Sequence, residues 1–145
     1  MSRTWRLDDS RQTLVLAAHG QRLPEVVYWG ARLPDDEDLA VLQQAHAIDV
    51  TGGMLDAIPD LSLCPEAIRS FPGQPGLALR AADGAPILPK FRFESADAGA
   101  DDLQLCYRDA GHGLTYRARI AIDPATRILV LSASLDSVRP VYLDW

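Results

Sequence analysis

The stretch LTYRARIAIDPATRILVLSASL, residues 114–135, decides the fold. Leu114, Tyr116, Ala118, Ile120 and Ile122 alternate with Thr115, Arg117, Arg119, Ala121 and Asp123. A period of two sends successive side chains to opposite faces, so one face is apolar and the other polar, as in a half-buried β-strand. Asp123-Pro124-Ala125-Thr126 interrupts the pattern. Proline cannot donate to a sheet ladder, and aspartate ahead of it favours a turn. The alternation then resumes, with Leu129, Leu131, Ala133 and Leu135 facing one way and Ser132 and Ser134 the other. A two-stranded hairpin is marginal in water, so this one predicts a larger antiparallel sheet that buries its apolar row.

Upstream, the same signature recurs in shorter pieces. Residues 4–7 (TWRL), 13–18 (TLVLAA) and 25–29 (EVVYW) are strand candidates, separated by Asp8-Asp9-Ser10 and His19-Gly20-Gln21 and closed by Gly30. Short strands punctuated by turn residues are the mark of an all-β chain. Residues 77–80, 87–94 and 103–108 add strands, with an Asp83-Gly84 hairpin signal between the first two. Leu103, Leu105 and Tyr107 are predicted to face inward, and residues 96–102 to form an acidic loop. Residues 141–145 read as a final strand, and a chain stopping on an aromatic within a strand pattern suggests part of a longer one.

Two segments differ. Residues 34–46 place Asp35, Asp36, Glu37 and Asp38 ahead of Leu39, Leu42 and Ala45, which suits the positive end of one short helix. The acidic cluster is read as a solvated helix start rather than a metal site, because adjacent surface carboxylates seldom converge on one ion. Residues 51–76 carry Gly52, Gly53, Pro59, Pro65, Pro72, Gly73, Pro75 and Gly76 among scattered apolar residues. They predict a long irregular loop packed on the body of the domain, and long loops in compact domains are commonly functional. The predicted fold class is therefore all-β, an antiparallel β-sandwich with one short helix and a long irregular loop, in a single domain spanning residues 1–145.

Composition narrows the partners. The net charge is −6 over 145 residues, which disfavours nucleic acid and anionic membranes, since both demand a concentrated basic surface. Thirteen arginines stand against one lysine, Lys90. Met1 is followed by no apolar signal-peptide run, and no stretch has the length of a membrane span, so a cytoplasmic location is expected. Cys64 and Cys106 have no metal-type spacing; two free thiols are the simplest account, and a disulfide stays open.

Specific catalytic patterns are missing. There is no nucleophile elbow and no phosphate-cradling glycine loop. His19, His46 and His112 follow no ligand spacing, and Cys64 has no basic neighbour in sequence to activate it. No metal or cofactor is expected. Carboxylates are plentiful, but a glycosidase needs two of them about 5–9 Å apart, and sequence alone brings no pair together. Trp5, Trp29 and Trp145 are candidate sugar platforms, although aromatics at strand positions more often belong to a core.

The order of the segments resembles a family. Trp5-x-Leu7, then Leu23 and Val27-Tyr28-Trp29-Gly30-Ala31-Arg32-Leu33, is similar to the opening of the glycoside hydrolase family 36 α-galactosidases. Leu103-x-Leu105-x-Tyr107-x-Asp109 with Gly113-Leu114 is similar to a later run of that family, and residues 128–133 fall where the family has a strand. The family's glycine-aspartate-aromatic-arginine signature is absent from residues 65–79, so its role does not transfer.

The resemblance implies an N-terminal β-supersandwich domain followed by a (β/α)8 barrel that carries both catalytic aspartates. This chain would be the first part of the sandwich, with no catalytic residue, acting on an α-galactoside only through the barrel. It also implies a homo-oligomer in which the loop at 51–76 approaches a neighbouring subunit's site. Asp56, Asp60, Glu66, Arg69 and Phe71 in that loop, with Trp29, are the candidate substrate-binding residues; the plainer role for the loop residues is to fasten the loop. The alternative is an independent carbohydrate-binding or protein-interaction sandwich.

Overall fold

The computed structural model describes residues 2–46, 61–69 and 71–145. The chain is mostly β, in three antiparallel sheets with one short helix, consistent with a sandwich-like all-β fold. Strands β1 (Ser2–Asp8), β2 (Gln12–His19) and β3 (Glu25–Ala31) form the first sheet in sequence order. The helix α1 (Leu39–His46) follows. Next come β4 (Leu79–Ala81) and β5 (Pro86–Ile87), then β6 (Arg92–Ala98), β7 (Asp102–Asp109), β8 (Leu114–Ile122) and β9 (Leu129–Ser137), which build a four-stranded meander. Strand β10 (Val141–Leu143) returns to pair with β4.

The core lies between the first sheet and the meander. Leu114, Tyr116, Ala118, Ile120 and Ile122 of β8 are all buried, as are Leu103, Leu105 and Tyr107 of β7. Leu7, Leu14 and Leu16 meet them from the first sheet. Aromatic contacts lock the β1–β6 side: Trp5 packs on Phe93 with ring centroids 6.0 Å apart, and Phe93 sets its edge on Tyr107 at 5.6 Å. The Phe93 amide donates to the Gln21 carbonyl at 3.0 Å, and the Arg3 guanidinium lies 4.3 Å above the Phe93 ring. These contacts place β1 over β6. The first sheet has three strands and the meander four, which leaves β9 at the far flank.

That width difference changes one expectation. In β9, Leu129, Leu131, Ala133 and Leu135 sit opposite Ile122, Ile120, Ala118 and Tyr116 of β8, and so share the core-side face. They are not sealed: Leu131 is 56% exposed, and Leu129 and Leu135 are only half-buried. The apolar row predicted to be covered along the whole hairpin is covered on β8 alone.

Other boundaries also move for local reasons. The strand expected at 87–94 divides into β5 and β6, because Pro89 has no N–H for a ladder. Of residues 96–102, expected in a loop, 96–98 continue β6 past a bulge between Phe93 and Ser95 and Asp102 opens β7, so the connection spans only residues 99–101. The helix starts at Leu39 rather than among the acidic residues. Asp38 caps it, its Oδ1 accepting the amides of Ala40 at 2.9 Å and Val41 at 3.3 Å. Asp35 instead pairs with Arg32 at 2.6 Å. Gln43 fastens the helix to the first sheet, its Oε1 accepting from Ser2 Oγ at 2.7 Å.

Two turns depend on glycine. Gly84 (φ 86°) closes the β4–β5 hairpin, its amide donating to Ala81 at 2.9 Å. Gly113 (φ 67°) enters β8 with Val138 packed where a Cβ would stand. Gly113→Ala adds a backbone penalty to a steric clash, and equilibrium urea unfolding is expected to show a loss of about 1–3 kcal/mol.

Candidate functional site

Glu66 and Arg69 are brought together by a short 3-10 turn at Ala67–Arg69. The Arg69 amide donates to the Glu66 carbonyl at 3.0 Å, and the Arg69 Nε donates to Glu66 Oε2 at 2.5 Å. The pair then grips one residue of the opposite segment. Glu66 Oε1 accepts the Phe91 amide at 2.8 Å, while an Arg69 terminal nitrogen donates to the Phe91 carbonyl at 3.1 Å. Both backbone groups of Phe91 are thus satisfied by side chains, just before β6 begins. A buried carboxylate needs such partners, since an unpaired buried charge is costly. The neighbouring chain is held too: the Leu63 amide donates to the Pro24 carbonyl at 2.8 Å, and Ser62 bridges Glu25 of β3. Cys64 sits in the core, where burial pushes its thiol up to about 12, an inert rather than nucleophilic state. Both cysteines are free.

The other candidates are placed separately. Phe71 is half-buried beside Gly73, where a Cβ would lie 2.7 Å from its ring. Asp56 and Asp60 lie outside the described residues. Trp29, on β3, is 66% exposed, with its indole Nε1 donating to Gln12 Oε1 at 3.1 Å. Gln12 is itself fixed, its amide donating to Asp9 Oδ2 at 3.2 Å and to the Arg127 carbonyl at 2.6 Å. Arg127 occupies the left-handed region (φ 61°) in the β8–β9 turn, and its guanidinium donates to Ser10 Oγ. Backbone amides, above all that of Arg11, hold the Asp9 carboxyl below the usual range. Trp29 is therefore a solvent-facing ring with its edge tethered. Of the other tryptophans, Trp5 packs against the core and Trp145 is exposed.

A third feature had no sequence signal strong enough to single it out. An open groove of about 400 Å³ runs where β6 meets β7 and the turn after it. Lys90, Arg92, Phe93, Glu94, Arg108, Asp109, Ala110 and Gly111 line it. Asp109 anchors its rim, accepting the amides of Lys90 at 2.9 Å and Gly111 at 2.9 Å and standing 2.7 Å from His112 Nδ1. Burial opposes the Asp109 charge, but the hydrogen bonds from His112 and the backbone amides outweigh it and keep the carboxyl below the usual range. Only the cross-strand register, not linear spacing, brings Arg108 beside Arg92.

Among the described residues no group of three His, Cys, Asp or Glu side chains is placed to hold a metal ion, and no helix is long and apolar enough to cross a membrane. The geometry around Glu66 and Arg69 fastens the 61–69 segment to the body of the domain. Glu66→Ala leaves a buried amide and a guanidinium without their acceptor, and chemical denaturation is expected to show a loss of about 2–4 kcal/mol. Trp29→Ala, at an exposed position, is expected to cost less than about 1 kcal/mol in the same measurement. No family model and no curated protein matches the chain.

Proposed function

We propose that this chain is a non-catalytic β-sandwich domain of a larger glycosidase, the N-terminal domain of a family 36 α-galactosidase. Retaining hydrolysis of terminal α-galactosides would be performed by a barrel outside this sequence. The observation that carries the reading is the uncovered flank of the sandwich. The core-side apolar row of β9 is partly exposed, and among the described residues β9 is hydrogen-bonded only to β8, with no strand on its other edge. Open edges and exposed apolar rows are liabilities that proteins normally cover. A neighbouring part of a multidomain enzyme would cover both at once. The order of the motifs around Trp5, Trp29, Asp109 and Leu114 supports the same reading. In it, the domain assists homo-oligomer assembly in the cytoplasm, and the 51–76 region shapes a substrate site.

One observation favours a second reading, an independent carbohydrate-binding module. The tethered and exposed Trp29 ring has the form of a sugar-stacking platform, an amphipathic aromatic with a fixed orientation.

The two readings separate in one experiment. The product of the complete reading frame and residues 1–145 alone are assayed on p-nitrophenyl α-galactoside, and both are applied to a glycan array. The scaffold reading predicts hydrolysis by the longer product, none by residues 1–145, and no array signal that depends on Trp29. A reading frame ending near Trp145, or an inert longer product, would contradict it. Array binding by residues 1–145 that disappears in Trp29→Ala would establish the module instead.

A further inference from the structure

On the outward face of the β6–β7 ladder, Arg92 and Arg108 are direct register partners. Like charges placed opposite each other across an antiparallel pair are destabilising. Elsewhere on this face the protein avoids the problem, pairing Arg117 with Asp136, and Arg119 with Asp102 at 3.1 Å. In the groove it does not. Among the described residues Arg108 has only Glu94 as an ion-pair partner, at 3.6 Å, and neither Arg92 nor Lys90 has one. Asp109, the remaining carboxylate of the lining, is turned to backbone amides and to His112. Three cations thus share a concave site with one carboxylate free to balance them, in a chain of net charge −6. The chain's overall charge would repel an anion at long range, so affinity at this place has to come from the local arrangement.

We propose that this groove is a binding site for a small ligand bearing a doubly charged oxyanion, of the phosphate monoester class. Two arginines set opposite each other across a ladder and lining one groove can offer such a group two guanidinium forks, and Lys90 adds a point charge. A volume of about 400 Å³ lies within the range of small-molecule sites and admits a molecule of sugar-phosphate size. The opposed arginines then have a reason: the repulsion between them in the empty site is relieved when the dianion binds. The inference is independent of the glycosidase reading.

The test uses the 145-residue protein and inorganic phosphate, at constant ionic strength maintained with sodium chloride. Binding is followed by the amide NMR signals of Ala110 and Gly111. Saturable shifts are expected, and Arg92→Gln or Arg108→Gln should weaken the apparent affinity by about tenfold or more, the loss of one charge-assisted fork. Arg119→Gln, on the same face but outside the groove, should leave the affinity unchanged within about twofold. Without phosphate, Arg92→Gln should melt at a temperature equal to or above that of the parent, because it removes the opposed charge. A merely structural arginine would show the reverse. Glucose 6-phosphate and glucuronate form the second arm, and the phosphate ester should bind more tightly. Shifts that follow ionic strength alone, equal weakening by Arg119→Gln, or preference for glucuronate would each overturn the proposal.

Discussion

Burial of one row of side chains on β8 is the constraint on which the rest of the structure depends. Leu114, Tyr116, Ala118, Ile120 and Ile122 occupy alternate positions, so a single choice of register buries all five. A slip of one residue would turn Thr115, Arg117 and Arg119 inward and expose the row. The arginines on the opposite face make that slip especially costly, since a buried guanidinium without a partner is among the least tolerable groups in a core. The register of β7 and β9 follows from this choice, and the first sheet is positioned by packing Leu7, Leu14 and Leu16 onto it. At one side the packing is sealed by Trp5, Phe93 and Tyr107. At the other side the first sheet ends before β9 does.

Much of this architecture is legible in the sequence because it rests on short-range periodicity. The alternation from Leu114 to Ile122 survives intact, and so do the inward positions of Leu103, Leu105 and Tyr107. Boundaries are less legible where one residue decides them. Pro89 ends the ladder between β5 and β6, and Asp38 serves as the cap rather than the first turn of α1. The exposure of Leu131 is not legible at all, since it depends on the width of a sheet formed by residues far earlier in the chain, up to Ala31. Periodicity reports which face a side chain takes, not whether anything covers that face.

The candidate residues divide in the same way. Glu66 and Arg69 were legible as charged groups in an irregular segment, but their shared grip on Phe91 is a long-range contact that no spacing announces. Trp29 was legible as a strand aromatic, and its exposure follows from its place on an edge strand. The groove at the start of β6 was the least legible feature. Lys90 and Arg92 lie two residues apart, whereas Arg108 joins them only through the β6–β7 register. The face that holds it also shows how this acidic chain uses arginine. Arg117 and Arg119 are neutralised across strands, whereas Arg92 faces another arginine. The site rests on that contrast rather than on the charge of any one residue.

The central claim is that the β9 flank is an internal surface of a larger assembly. Hydrogen exchange at the amides of β9 (Leu129–Ser137) that point away from β8 tests it most directly, comparing residues 1–145 with the product of the complete reading frame. An uncovered edge leaves those amides to exchange freely, whereas a covered one ties their exchange to a larger unfolding event. The account predicts rapid exchange in the isolated chain and strong protection in the longer product. Equal, rapid exchange in both would mean that nothing covers the flank, and would contradict the account.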